Sequence, residues 1–176
     1  MKYYQRTDCR LCHSSKIDKV TSLTATPPAD SYLKNQSDQK NLPLIPLDLY
    51  LCNDCGHTQL GHVIDAEEVY LNYIYETAST LGLGDHFKEC ADFFCNKYKP
   101  ADSSLVIDIG SNDGILLKYF KDRNLNVLGV DPMPGIAKKA KEINGVDTIE
   151  DFFNENTVNN IISTHGNPSI ITSNNL

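Results

Sequence analysis

The stretch "VIDIGSNDGILL" (residues 106–117) places a short apolar run before a glycine-cornered turn and a second apolar run directly after it. The first run is typical of a buried strand, and the second begins a helix. A strand that passes through a glycine-rich turn into a helix is the arrangement in which α/β proteins bind nucleotide-like ligands. The stretch therefore predicts a ligand-binding turn within an α/β fold.

The residues around this turn continue the alternation of strands and helices. Strands are predicted at "SLVIDIG", "NVLGVD", "VDTIED" and "SIITSN", with a helix after each of the first three. Connections of this kind imply a parallel sheet, which we expect to have the strand order 3-2-1-4 and a binding crevice between strands one and four. A further helix is predicted at about 85–98, because apolar residues recur there at helical spacing.

Four cysteines upstream form two C-x-x-C pairs, Cys9 with Cys12 and Cys52 with Cys55, separated by 39 residues. Two such turns that face each other make a tetrahedral tetrathiolate site suited to structural zinc, since no coordination position stays open for chemistry. The alternating segment "LDLYLC" and the following "HTQLGHVI" predict the two strands of a zinc-ribbon hairpin. Between the pairs, "TATPPADSYLKNQSDQKNLP" reads as a loose polar insertion.

Other interpretations of these cysteines stay open. The four could be unrelated buried thiols, and His13 or His57 beside the turns could replace a ligand, although solvent-facing loop histidines fit better. A redox C-x-x-C occurs once, at a helix start, rather than twice on hairpins. Cys90 and Cys95 are five residues apart on a predicted helix, do not face each other, and read as core or half-buried thiols.

The overall composition is that of a globular protein with an acidic balance. The 176 residues carry 23 acidic and 16 basic side chains, a formal charge of −7, without a dense basic tract. We therefore expect no nucleic-acid partner. No apolar run is long enough to span a membrane, and the N-terminus lacks the apolar core of a signal peptide, so we expect a cytoplasmic protein without membrane association.

The turn does not fit a dinucleotide or a phosphate loop. In G-x-G-x-x-G the second glycine lets the backbone approach a pyrophosphate, but Asn112 occupies that position here. What the stretch contains is D-x-G-x-x-x-G, formed by Asp108, Gly110 and Gly114. The second strand ends in Asp131, an acid placed to accept both hydroxyls of a ribose.

This pattern resembles motif I and the following acidic residue of class I methyltransferases that use S-adenosylmethionine (SAM). SAM has no phosphates, and its sulfonium and ammonium groups favour nearby carboxylates. Asp108 is the first candidate for this role and Asp113 the second. The implied fold class is α/β, a partial class I methyltransferase (Rossmann-like) parallel sheet preceded by a small zinc-ribbon module. We expect residues 1–65 to form the zinc module, 66–100 a tyrosine-rich linker and helix, and 101–176 the N-terminal half of the SAM domain.

A narrower resemblance covers nearly the whole chain. The two C-x-x-C pairs, "YLNYIYETAST", "IDIGSNDGILL", "GVDP", "EDFF" and "SNNL" occur in this order in sugar C-methyltransferases. The resemblance implies zinc and SAM as cofactors and a nucleotide-linked keto-deoxysugar as substrate. It implies a base that removes the proton α to the sugar ketone, after which the enolate attacks the methyl group of SAM.

The same resemblance assigns roles to individual residues. The implied cofactor-binding positions are Gly110, Asn112 and Gly114 in the turn, Asp131 at the ribose, Asp151 and Phe152 at the adenine, and Asn174 at the methionine half. Tyr75 would reach the site as an acid, base or orienting phenol, and Tyr73 is the second candidate for this role. His86 would touch the cofactor. Each has a structural alternative: packing aromatics for the tyrosines, a helix-start residue for His86, and core packing for Phe152 or Phe153.

The chain departs from the family after "SNNL". In the family a histidine that resembles the catalytic base follows, and then a further domain. We therefore expect the main base to lie beyond Leu176, the chain to be the N-terminal part of a longer enzyme or a shortened product, and the chain alone to be inactive. Its fourth strand offers an edge for self-association. An alternative function is a zinc-ribbon and SAM-domain module that serves RNA or a protein partner without catalysis.

Overall fold

The fold was derived from a computed structural model, which describes residues 2–29, 33, 35–70 and 81–174. The chain divides into two compact units, residues 1–74 and residues 75–176. Tyr73 and Tyr75, the predicted phenols, lie outside the described residues. No helix in the described part is long and apolar enough to cross a membrane.

The first unit is formed by short antiparallel strands. Its described elements are β1 (Tyr3–Gln5), β2 (Ile17–Thr26), a 3-10 helix (Gln36–Asn41), β3 (Ile45–Cys52), β4 (Thr58–Leu60), β5 (His62–Ile64) and α1 (Ala66–Tyr70). Strands β2, β3 and β4 form one antiparallel sheet in that order, and β1 pairs with β5. The predicted ribbon hairpin is therefore present, with its second strand divided into β4 and β5.

Strand β2 was not predicted from the sequence. It pairs along β3 from Ile17 opposite Cys52 to Thr26 opposite Ile45, so its last residues occupy the start of the expected loose insertion. Nearly all of its side chains are exposed. The hairpin thus has a third, mostly solvated strand.

The second unit is a parallel sheet covered by helices. Its described elements are α2 (Leu83–Tyr98), β6 (Leu105–Ile109), α3 (Ile115–Lys121), β7 (Asn126–Val130), α4 (Ile136–Asn144), β8 (Thr148–Ile149), α5 (Glu155–His165) and β9 (Ile170–Ser173). The strands lie in the order β8-β7-β6-β9, and all three pairings are parallel. The predicted order 3-2-1-4 is confirmed, and with it the α/β fold class.

Each face of this sheet has its own apolar core. One core joins α2, α3 and α4 to the sheet and contains Ala91, Val106, Leu116, Leu117, Phe120, Leu125, Ala140 and Val146. The other contains Leu105, Ile107, Leu128, Val130 and, from α5, Ile161. Cys90 and Cys95 pack half-buried against the first core, as predicted.

The register places one polar row across the sheet. Asp108 of β6 is paired with Gly129 of β7 on one side and with Thr172 of β9 on the other, and Gly129 is paired with Thr148 of β8. Residues directly opposite each other point to the same face. The row therefore lies on the face that carries Val106 and the core formed with α3, one residue before the end of β6.

Candidate functional site

The four predicted cysteines converge on one point. The Sγ atoms of Cys9 and Cys55 are 3.7 Å apart, those of Cys12 and Cys52 are 3.6 Å apart, and all four lie within 4.8 Å of one another. A tetrahedral zinc with Zn–S bonds of ~2.3 Å holds its sulfurs about 3.8 Å apart. The sulfurs are too far apart for disulfides, so the arrangement fits a tetrathiolate zinc site.

The backbone around the two turns repeats the same geometry. The N–H of His13 donates to the carbonyl of Cys9, and the N–H of Gly56 donates to the carbonyl of Cys52, both at 2.9 Å. His13 and Gly56 both have positive φ, +59° and +75°, which a glycine adopts without strain. His13 thus occupies the position of Gly56 in the first turn, and its exposed ring lies 3.7 Å from Asp8 rather than on the sulfurs.

The pKa values of Cys9 and Cys12 are shifted in opposite directions. A backbone hydrogen bond from Cys12 lowers the pKa of Cys9 to about 7. A backbone hydrogen bond from Ser14 lowers the pKa of Cys12, but the neighbouring thiols, Cys55 first, together with burial outweigh it and raise this pKa to about 12. Four adjacent thiolates need a cation to balance their charge, and zinc supplies it.

The glycine turn is closed by the acid at the end of the second strand. The backbone N–H of Asn112 donates to Oδ2 of Asp131 at 2.8 Å, and the N–H of Met133 donates to Oδ1 at 2.9 Å. Asp131 is 7% exposed, and each of its oxygens keeps a second lone pair. The predicted turn and the predicted ribose acid therefore lie in direct contact, 19 residues apart in the chain.

The turn itself runs through left-handed backbone. Gly110, Asn112 and Gly114 have φ values of +71°, +50° and +77°. Asparagine tolerates this region better than other residues with a Cβ, and Oδ1 of Asn112 accepts the N–H of Asp113 at 2.9 Å. The Asn112 side chain is buried, and it stands where the dinucleotide motif has its second glycine.

A second buried carboxylate lies beside this contact. Asp108 is 4% exposed and accepts a hydrogen bond of 2.7 Å from Oγ1 of Thr172. Burial raises its pKa to about 6, the Thr172 bond opposes this, and the charge of Asp131 adds to it. Two acidic side chains at the carboxyl ends of β6 and β7 therefore act on each other electrostatically, and a positive charge nearby would relieve their repulsion.

Asp113, the other carboxylate considered for the ligand cation, is placed differently. It is 1% exposed, and its Oδ1 accepts the N–H of Ile115 at 3.2 Å in the first turn of α3. Asn144 donates to its carbonyl at 2.8 Å. Its carboxylate therefore contacts the start of the helix.

The predicted adenine and methionine positions follow β8 and β9 at the same edge of the sheet. Oδ1 of Asp151 accepts the N–H of Phe152 at 2.7 Å, and Phe152 is half-buried. Phe153 is 41% exposed, which does not fit the alternative that it is a core residue. Asn174 is exposed directly after β9.

His86 lies in the first turn of α2, away from the contacts described above. Its Nε2 is 3.5 Å from the sulfur of Cys90, and its ring packs against Phe87. Within the described residues, no hydrogen bond, ion pair or ring contact joins His86 to the turn. Its position agrees with the helix-start alternative as well as with the cofactor role.

Two residues of the site were missed by sequence reasoning. Thr172 holds Asp108, and Gly129 leaves room for the turn, because a Cβ at position 129 would lie 2.3 Å from Oγ of Ser111 and 2.7 Å from Oγ1 of Thr148. The signal for Gly129 was the motif "GVDP", in which only the acid was interpreted. The signal for Thr172 required the register of β9 against β6.

Comparison with known proteins agrees with this geometry. Residues 9–70 match the family described as "Putative zinc binding domain". The chain is 31% identical over 160 residues to the C-methyltransferase NovU of Streptomyces niveus, a match that covers 90% of this chain and 38% of the relative. The chain thus spans 38% of the length of this curated relative.

Two solved structures of the plantazolicin methyltransferase BpumL are also similar, one in complex with SAH and one in complex with a pentazolic desmethylPZN analog and SAH. The first is 17% identical, with a TM-score of 0.37, and the match covers 49% of this chain and 33% of BpumL. The second is 16% identical, with a TM-score of 0.35, and the match covers 43% and 30%.

Proposed function

We propose that the chain is part of the family of zinc-module sugar C-methyltransferases and that it acts in SAM-dependent methylation of a carbon atom in a nucleotide-linked keto-deoxysugar. The observation that carries the proposal is the identity of 31% to a C-methyltransferase over 160 residues, which include parts of both units. The sugar substrate is supported by the order of motifs quoted above.

The geometry of the turn supports a SAM site. Gly110, Asn112 and Gly114 form a turn that lacks the second glycine of the dinucleotide motif, and the spare lone pairs of Asp131 suit the ribose hydroxyls. Asp108 lies close enough to Asp131 to act on it electrostatically, and it supplies negative charge for the sulfonium or ammonium group.

Five further residues are proposed to lie around the bound cofactor. Asp151 and Phe152 flank the adenine, with the half-buried ring of Phe152 as its apolar contact. Asn174, exposed after β9, faces the methionine half. His86 and Tyr75 contribute from the segment before the sheet, Tyr75 as an orienting phenol.

The proposed reaction forms one carbon–carbon bond. A general base removes the proton α to the sugar ketone, and the enolate carbon attacks the methyl carbon in line as the carbon–sulfur bond breaks. SAM supplies the methyl group and leaves as S-adenosylhomocysteine. The residues of this chain bind and orient the cofactor, and the carboxylates of Asp108 and Asp131 balance its positive charge before transfer.

The four cysteines are proposed to hold a structural zinc. Four thiolates fill a tetrahedral ion, so no position remains for substrate. The ion would join the first turn, near the N-terminus, to the turn between β3 and β4.

The test of the proposed function is calorimetric titration of the zinc-loaded chain with SAM, S-adenosylhomocysteine and NAD. We expect the first two to bind and Asp131→Ala to abolish binding, while Asp147→Ala, which removes an exposed carboxylate paired with Lys141, leaves it unchanged. Labelled SAM is then supplied to the chain together with nucleotide-linked 4-keto-deoxysugars. Binding of SAM without labelled sugar would favour a module that lacks catalysis, and preferential binding of NAD would contradict the assignment of the turn.

A further inference from the structure

Two histidines of the first unit have ring nitrogens without a partner. Nε2 of His57 and Nδ1 of His62 are buried and form no hydrogen bond with any described residue. Buried side-chain nitrogens nearly always have a partner in native proteins. Both nitrogens are therefore available for a hydrogen bond to a water molecule or a ligand.

Both histidines line the same cleft together with a free cation. The cleft has a volume of about 450 Å³ and also contacts Arg10 and Thr58. The guanidinium of Arg10 forms no hydrogen bond or ion pair within the described chain. Arg6, in contrast, is held by Asp8 at 2.9 Å.

The backbone around Arg10 is fixed before any ligand binds. Gln59, at the centre of β4, accepts the N–H of Arg10 at 2.8 Å and donates to the carbonyl of Asp8 at 2.8 Å. Gln59 is 4% exposed, so these bonds tie the first cysteine turn to the wall of the cleft. Arg10 therefore projects from a fixed position.

The lining of the cleft favours an anion. Its described lining residues include one guanidinium, two imidazoles and one hydroxyl but no carboxylate. Asp48, the carboxylate that acts electrostatically on His62, is itself 3.7 Å from Nζ of Lys19. Arginine and imidazole N–H groups arriving from separate directions suit an anion with several oxygens better than a two-oxygen carboxylate.

The apolar part of the lining indicates an organic ligand. Leu60, Val63 and Ile64 complete the cleft, whose volume exceeds that of a single phosphate ion. We propose that this cleft binds the phosphate group of an organic phosphate, with Arg10 as the main contact and with His57 and His62 turning their rings to donate to it. The site lies within the first unit and is independent of methyl transfer.

The test is an NMR titration of the zinc-loaded, full 176-residue chain with inorganic phosphate, pyrophosphate and thymidine diphosphate. We expect the side-chain signals of Arg10, His57 and His62 to shift and thymidine diphosphate to bind more tightly than inorganic phosphate. Stronger binding of inorganic phosphate than of either diphosphate would identify a free-phosphate site and overturn the organic ligand.

Variants separate a specific site from general charge attraction. Arg10→Ala should weaken binding by about tenfold or more, whereas Lys40→Ala, which removes an exposed cation from the same unit, should change it less than about twofold. His57→Gln and His62→Gln should each weaken binding with zinc retained. An equal loss of phosphate affinity in Arg10→Ala and Lys40→Ala would contradict the proposal. Release of zinc by Arg10→Ala with unchanged phosphate binding would also contradict it, because Arg10 would then serve the thiolate cluster.

Discussion

Asp108 is ionisable, yet the fold buries it within the polar row of the sheet. Its ordinary pKa of 3.8 is raised to about 6, first by burial. Between these values the unfolded chain has lost the proton and the folded chain keeps it, so stability falls as the pH rises through this window. Above about pH 6 the loss is complete, and it amounts to about 3 kcal/mol.

Asp108→Asn should remove this penalty. The amide oxygen still accepts the bond from Thr172, so the variant should gain up to about 3 kcal/mol over the natural protein at pH 7 and nothing at pH 3.5. The measurement is urea unfolding at both pH values, followed through the amide signals of β6. Asp122→Asn, at an exposed carboxylate, is the control for the loss of one charge. If the free energy of unfolding varied with pH in the same way for Asp108→Asn and for the natural protein, Asp108 would not be the cause of the pH dependence.

Asn112 tests the backbone of the turn. At a φ of +50° a β-branched side chain is strained, so Asn112→Val should destabilise the second unit by about 2 kcal/mol or more. Asn112→Gly relieves the strain but loses the bond to the N–H of Asp113, so its free energy of unfolding should stay within about 1 kcal/mol of the natural value. Equal losses for the two variants, measured by urea unfolding, would place the cost in the missing side chain.

The sequence predicted the residues of the candidate site better than it predicted the contacts between them. The turn "GSNDG" and the acid of "GVDP" were both identified, and the structure joins them through the N–H of Asn112. The bond between Thr172 and Asp108 was not predictable, because it depends on how β9 aligns with β6, and no local pattern fixes that register.

Among the elements, β2 shows what periodicity cannot detect. The alternation of apolar and polar residues marks a strand only where one face is buried, and β2 exposes nearly every side chain. Its partner β3 was predicted because residues such as Leu47 and Leu49 are partly buried. β6 was predicted from a continuous apolar run instead, because both of its faces are buried over residues 105–108.

The packing of β7 under the turn gives an element-scale prediction. Gly129→Ala places a methyl group 2.3 Å from Oγ of Ser111, so β7 or the turn must shift, at a cost of about 1–3 kcal/mol. The double variant Ser111→Gly/Gly129→Ala should recover part of the loss, because the nearest atom is removed while Thr148 remains. Additive losses in the double-mutant cycle, measured by thermal unfolding, would exclude this steric coupling.

On the scale of the whole molecule, the two units depend on different sources of stability. The second has an apolar core on each face of its sheet. The first has few buried apolar side chains beyond Ile45 and two of the cysteines. Small modules of this kind take apparent folding energy from zinc, roughly 10–16 kcal/mol in isolated peptides.

Metal removal should therefore unfold one unit selectively. In NMR spectra, a strong chelator should reduce the chemical-shift dispersion of the amide signals of β2, β3 and β4 to that of an unfolded chain. The amide signals of β6 to β9 should keep their positions. Cys52→Ser should reproduce the chelator, and Cys95→Ser, outside the cluster, should bind zinc normally. Loss of both sets of signals together would show that the units unfold cooperatively.

The outer strand of the parallel sheet predicts association. β9 pairs with β6 and is the last strand of the described sheet, and Ile171 on it is 56% exposed. Unpaired strand edges associate readily. Sedimentation should show concentration-dependent dimers that Ile171→Lys reduces, and identical profiles for both proteins would place any association elsewhere.

The close approach of Gly129 to Ser111 also limits how this sequence can diverge. Alanine at position 129 is most unfavourable while serine occupies position 111, and becomes less so after position 111 has lost its side chain. The order in which the two substitutions occur then decides whether the protein that carries only the first of them keeps a stable fold. The two positions are 18 residues apart in the printed sequence, yet they should change as a pair, with the turn residue first.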